Sequence, residues 1–162
     1  MRAMPNRWKP NVTVAAIIER AGHFLLVEEH TRDGLKLNNP AGHLDPGESP
    51  QDACVREVLE ETAHDFTPTA LIGVYLNRFT KTGTEQDLTY LRFAFAGSVG
   101  AHHADRALDT GIVRALWMTP DEVRASATRH RSPLVVQSME DYLRGQRYPL
   151  ELVQTDLSMQ RP

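Results

Sequence analysis

The chain has 162 residues, 41% of them apolar, and a single cysteine, Cys54, so one domain with an ordinary core is expected and an intramolecular disulfide is excluded. A net charge of -3 and a pI near 6.1 lack the basic footprint of a nucleic-acid binder. No run of about 18 apolar residues is present, so no membrane span is expected. The opening MRAMPNRWKP is positively charged without an apolar run, so no signal peptide is expected either, and with one cysteine a reducing, cytoplasmic setting follows as the expectation.

Residues 1–10 read as a flexible lead-in, 11–153 as the folded domain and 154–162 as a tail. Val12 to Glu19 (VTVAAIIE) is β-branched and almost continuously apolar, which predicts a strand buried on both faces. Ala21-Gly22 predicts a turn into a second strand, His23 to Glu29, and so a hairpin. Leu35 to Ala41 is extended, because Pro40 disfavours helix before it. Asp45-Pro46-Gly47 is a turn: proline presets φ and glycine admits the positive value.

A helix follows. Ser49 is its capping residue, Pro50 fits its first position, and Asp52 suits its positive end; the end is expected between Ala63 and Phe66. Thr69 to Phe79 and Leu88 to Ala96 predict an antiparallel pair around the polar loop Thr80 to Asp87. Gly97 to Thr110, with His102, His103, Asp105 and Asp109, reads as a loop. Ile112 to Met118 predicts another strand, with Trp117 in the core. Thr119-Pro120-Asp121-Glu122 opens a short helix, Arg129 to Ser132 is a basic linker, and Ser132-Pro133 opens a last helix to about Gly145. This order predicts an α/β fold, a mixed sheet with helices on both faces.

The stretch Gly42 to His64 carries the chemistry. At about 100° per residue, Glu57, Glu60 and Glu61 fall on one helix face, opposite Val55, Val58, Leu59 and Thr62. Glu57 and Glu61 stand one above the other, four apart. Such a cluster of hard oxygens suits a divalent cation, Mg²⁺ first.

The same stretch, with Gly42, Glu48, Arg56, Glu57, Val58, Glu60 and Glu61 at their offsets, resembles the signature of the Nudix hydrolase family. Ala63 and His64 depart from it, standing where the family has a glycine and an aliphatic residue. NVTVAAIIERAGHFLLVEEH, PAGHLDPGE, RSPLVVQS and GQRYPLELV are similar to the NudJ-type phosphatases of that family, although Leu37 stands where a tryptophan often precedes the Pro-Ala-Gly loop. The resemblance implies a Nudix-type α/β/α sandwich and Mg²⁺-dependent (or Mn²⁺-dependent) hydrolysis of a phosphoanhydride bond. The substrates it implies are nucleoside di- and triphosphates or thiamine-pathway diphosphates, with orthophosphate released. An ADP-sugar or dinucleoside polyphosphate pyrophosphatase, and an inactive Nudix-fold binding domain, are the rival readings.

By the same resemblance, Glu57 and Glu61 are metal ligands first, Glu60 is a ligand or a partner of Arg56, and the carbonyl of Gly42 completes the set. Arg56 and Glu48 pair to orient them. The acid that takes the proton from water is either Glu57 or one from beyond the motif; Gly111 stands where the family often has that acid, and Asp109 is the nearest carboxylate. His43, Arg78, Tyr90 and Arg92 are the candidates for holding substrate. The expected partner is a small phosphorylated molecule, with no nucleic-acid polymer and no membrane, and the protein is expected to be a monomer or a small homo-oligomer.

Overall fold

The computed structural model describes residues 6–80, 83 and 87–160. Seven strands and three α-helices follow one another as β1 (Asn11–Arg20), β2 (His23–Thr31), β3 (Gly34–Asn38), β4 (Ala41–His43), α1 (Pro50–Thr62), β5 (His64–Thr80), β6 (Asp87–His102), β7 (Ile112–Met118), α2 (Pro120–Ala125) and α3 (Leu134–Leu143). The central strand order is β3-β2-β1-β6-β5, with β4 joined to β1 and β7 to β2. β1 runs parallel to β6 and every other pairing is antiparallel, so the sheet is mixed. The β1–β2 hairpin pairs only at Glu19↔Phe24 and Arg20↔His23, and the two strands then diverge to different neighbours.

Period-two alternation builds the two sides of the sandwich. Val14, Ala16 and Ile18 of β1 and Phe95 of β6 pack with Ala53, Cys54 and Val58 of α1. Ile17 of β1 and Ala94 and Ala96 of β6 point the other way, against Val123 of α2 and Leu134, Val135 and Met139 of α3. Cys54 is fully buried in the first of these cores. Tyr75 of β5 ties the second layer down, its hydroxyl donating to Asp141 of α3 at 2.6 Å.

Two expectations are corrected. Gly97 to His102 is not loop: β6 continues through it, with Phe66↔Val99 and His64↔His102 pairing it to the start of β5, which itself begins directly after α1. Trp117 is half-buried at the margin of the core rather than within it. The loop expected over Thr80 to Asp87 falls largely outside the described residues. Tyr148 docks the C-terminal segment by exchanging two backbone hydrogen bonds with Leu71. No helix among the described residues is long and apolar enough to cross a membrane.

Candidate active site

The loop that enters α1 is bound to β1 through β4, with Thr13↔His43, Val14↔Gly42 and Ala15↔Ala41 in register. Leu44 N donates to Val12 O at 3.1 Å and extends that tie. Ser49 then caps α1, its Oγ accepting from Asp52 N at 3.0 Å, with Pro50 at the first turn. At the other end Ala63 adopts φ 57° and ψ 25°, the left-handed conformation that a glycine would take more readily, and its N–H donates to Leu59 O. The helix end is therefore formed in the usual way despite the alanine.

Arg56 is the hub of this region. Its Nε and Nη2 grip Glu48 in a bidentate pair, at 3.0 and 2.7 Å. Nη1 donates to Glu57 at 2.7 Å and to Glu60 at 3.1 Å, and Nη2 also reaches His43 O at 2.9 Å. Loop and helix are thus locked by one guanidinium, a geometry that a lysine does not reproduce. The pairing holds the Glu48 carboxyl below its ordinary pKa and raises the Arg56 guanidinium.

Glu57 and Glu61 are buried, at 8% and 4% exposure, whereas Glu60 is half-buried. Desolvation pushes the Glu57 carboxyl up, against the pull of Arg56. It raises Glu61 further, to about 8, against a single 2.8 Å hydrogen bond from Ala41 N and with the charges of Glu57, Glu29 and Asp109 adding to the rise. Gly42 lies hard against Glu57: a Cβ there would sit 2.0 Å from Glu57 Oε1. Two buried carboxylates raised by burial are a donor set that fits a hard divalent cation. Among the described residues, no three His, Cys, Asp or Glu side chains are grouped as a ready cage, and one Glu57 oxygen accepts from Arg56.

Asp109 reaches the same place from the segment between β6 and β7. His103 N donates to Ala63 O and Asp109 N to Glu60 O, each at 2.8 Å, so the carbonyls left over at the end of α1 anchor that segment. The charge of Asp109 is felt by both Glu57 and Glu61. Gly111 accepts from His30 N at 2.8 Å instead of contributing a side chain.

A cavity of about 240 Å³ opens beside Gly42 and His43. Tyr90 and Arg92 line it, as does His43; Arg78 is exposed on β5 and is not among the lining residues. Tyr90 stacks on Phe79, with centroids 5.4 Å apart and planes 6° from parallel, and His43 tilts against Tyr90 at 6.0 Å. Arg92 is buried to 8% exposure, its guanidinium facing the side-chain oxygens of Asn38 and Asn39 at 3.3 Å. Burial lowers its pKa to about 10, so it remains a cation at neutral pH.

Residue-by-residue reading of the sequence missed Glu29, Asn38, Arg131 and Phe79, all of which line this cavity. Arg131, placed in a basic linker, reaches Glu29 at 3.2 Å across 102 residues of chain. Its only local signal was a charge next to Ser132-Pro133. Asn38-Asn39 before Pro40 was readable as extended chain, and nothing local marked it as the seat of a buried arginine.

A model of the NUDIX domain matches residues 8–137. The chain is 36% identical over 146 residues to the phosphatase NudJ of Escherichia coli K12, covering 90% of this chain and 92% of that one. Among solved structures, a NUDIX hydrolase from Nitrosomonas europaea superposes with a TM-score of 0.85 at 56% identity, covering 91% of this chain and 98% of the other. An ADP-ribose pyrophosphatase from Streptococcus suis shares the fold at a TM-score of 0.62 and 16% identity, over 86% and 96% of the two chains. The α/β/α sandwich and the sequence match together place the chain in the Nudix family, and it is a Nudix hydrolase. Enzymes of this family generally use divalent metal ions and act on small phosphorylated substrates.

Proposed function

We propose that the protein hydrolyses the terminal phosphoanhydride bond of a small organic di- or triphosphate and releases orthophosphate, with Mg²⁺ (Mn²⁺ as a substitute) held by Glu57, Glu61, Glu60 and the carbonyl of Gly42. The substrates proposed are nucleoside di- and triphosphates or thiamine-pathway diphosphates such as hydroxymethylpyrimidine diphosphate and thiamine diphosphate. The observation that carries this reading is the pair Glu57 and Glu61: two buried carboxylates raised by desolvation, four apart on one helix, Glu57 against Gly42 and Glu61 accepting from Ala41 N. The likeness to a phosphatase along nine-tenths of the chain favours terminal cleavage.

When bound, the cation neutralises phosphate oxygens and acidifies the attacking water. The chain's own residues do the rest. Arg92 presents a fixed positive charge to the phosphate end of the cavity. Tyr90 and Phe79, with His43 beside them, give the organic part a flat apolar wall. Arg56 and Glu48 hold Glu57 and Glu60 in position and do not touch the substrate. A carboxylate oxygen of Asp109 takes the proton of the attacking water, because Asp109 comes to the α1 acids from outside the helix while Glu57 is held by Arg56.

The test is a panel of nucleoside and thiamine-pathway phosphates incubated with Mg²⁺, with the phosphorus products identified by ³¹P NMR. Orthophosphate as the first product is expected. Nucleoside monophosphate together with a sugar phosphate or pyrophosphate, and no orthophosphate, overturns terminal cleavage; no turnover of any member overturns the enzymatic reading.

A further inference from the structure

A second cavity, of about 560 Å³, lies at the far end of α1, and no residue lines both cavities. Its size falls within the roughly 300–1,000 Å³ typical of small-molecule sites. Three arginines from three separate segments line it: Arg20 at the end of β1, Arg106 between β6 and β7, and Arg114 on β7. No aspartate or glutamate is among its described lining residues. In a chain of net charge -3, three cations gathered in one concavity are a local reversal of sign. Such like charges repel unless an anion joins them.

Three rings, those of His64, His102 and Trp117, form one part of the wall, and Leu25, Leu108, Val113 and Ala115 are among its apolar residues. Arg20 lies over the Trp117 ring at 4.3 Å, and His64 meets Trp117 edge-on at 6.4 Å. The His102 ring lies against His64 at 4.5 Å, tilted by 30°. His64 is itself fixed, its Nδ1 within 3.0 Å of Thr62 O. Of the cations, Arg114 is partly engaged by Glu28, whose Oε1 is 3.2 Å from its Nε. Guanidinium groups match phosphate by paired N–H donors, and rings beside them suit a planar group.

We propose that this cavity binds a small phosphorylated molecule bearing a flat ring, at a site separate from the one beside Gly42. The phosphate sits among Arg20, Arg106 and Arg114, and the ring packs against the His64–His102–Trp117 wall. Thr62 and Ala63 form part of that wall, so the bound molecule touches the end of the helix that carries Glu57 and Glu61. The cavity therefore gives an anion a mechanical hold on α1 without occupying the first cavity.

The probe is AMP, titrated calorimetrically into the full chain in EDTA, with Tyr90→Ala reporting any binding at the first cavity. Binding with a dissociation constant of about 1 mM or tighter is expected. Arg106→Glu, in an exposed position, should weaken it at least roughly tenfold, with Arg106→Ala intermediate, while Tyr90→Ala in the first cavity changes it by less than about twofold. Hydrogen exchange at the Ala63 and His103 amides should slow when AMP is present. The absence of binding at about 10 mM AMP, an equal loss in Tyr90→Ala, or binding unchanged by Arg106→Glu overturns the proposal. None of these readouts depends on turnover, so the proposed activity can fail without touching this site.

Discussion

Gly42 and Glu57 compete for the same space. A methyl group at Gly42 would stand 2.0 Å from Glu57 Oε1 and 2.1 Å from its carboxyl carbon, so Gly42→Ala must push the carboxylate aside. The side chain can move at small cost in stability, but its position is lost. Turnover of Gly42→Ala is therefore expected to fall by roughly tenfold or more while the melting temperature shifts little, because Glu57 is a proposed metal ligand and a displacement of about 1 Å in an active site can cost about a hundredfold. Glu48→Gln tests the neighbouring link. It removes the charge from the bidentate partner of Arg56 and should lower turnover by roughly 10–100-fold, the range for residues that orient metal ligands. Unchanged kcat in both variants would detach Gly42 and Glu48 from the site. At this scale the sequence was informative where partners are close along the chain: Glu48, Arg56, Glu57 and Glu61 lie within one loop and one helix, and helical geometry alone places the acids together. It was silent on Glu29 and Arg131, whose 3.2 Å contact joins β2 to a segment before α3 and exists only once the sheet has formed.

Among the elements, β6 shows how tertiary pairing overrides a local signal. Gly97-Ser98 and Gly100 read as loop because small polar residues have low strand propensity. Fourteen register pairs with β5 hold the strand straight through them. Gly97 is there for close approach: a Cβ would lie 2.2 Å from the backbone oxygen of Thr67, which cannot swing away as a side chain can. Gly97→Ala is expected to destabilise the fold by about 2 kcal/mol or more in urea unfolding; a loss under about 0.5 kcal/mol would show that the strand gives way freely. The end of α1 follows a different logic. Ala63 pays the left-handed strain of about 1 kcal/mol but buries its methyl at 2% exposure. Ala63→Gly should consequently be close to neutral, and Ala63→Val, β-branched and in the same conformation, should cost about 2 kcal/mol or more by the same measurement.

For the whole molecule, the two packed layers were legible because the almost continuously apolar run of β1 predicts burial on both faces, Val14, Ala16 and Ile18 on one and Ile17 on the other, and helix caps at Ser49 and Thr119 marked where α1 and α2 begin. How the second layer is clasped to the sheet was not legible, since it depends on a buried charge. Glu28 of β2, at 6% exposure, is gripped by Arg129 beyond α2 and by Arg114 of β7. The hydrogen bond from Arg129 is the main cause of its carboxyl pKa falling below the ordinary 4.5, with Arg114 assisting against desolvation. A carboxylate lowered in the folded state stabilises above its unfolded pKa and loses that contribution as pH falls through the folded value. Glu28→Gln should therefore be less stable than wild type at pH 7, and the gap in urea midpoints should close below about pH 4. A gap independent of pH would mean that packing, not charge, makes Glu28 matter.

The buried acids of α1 are the proposed seat of phosphoanhydride hydrolysis. The most direct measurement is orthophosphate release from the best substrate of the panel, followed against Mg²⁺ concentration, for wild type and Glu61→Gln, with circular dichroism showing both folded. Activity that rises with Mg²⁺ in the wild type, and falls at least about a hundredfold in Glu61→Gln at saturating metal, is the predicted result. Wild-type activity in EDTA, or full activity in folded Glu61→Gln, would contradict it.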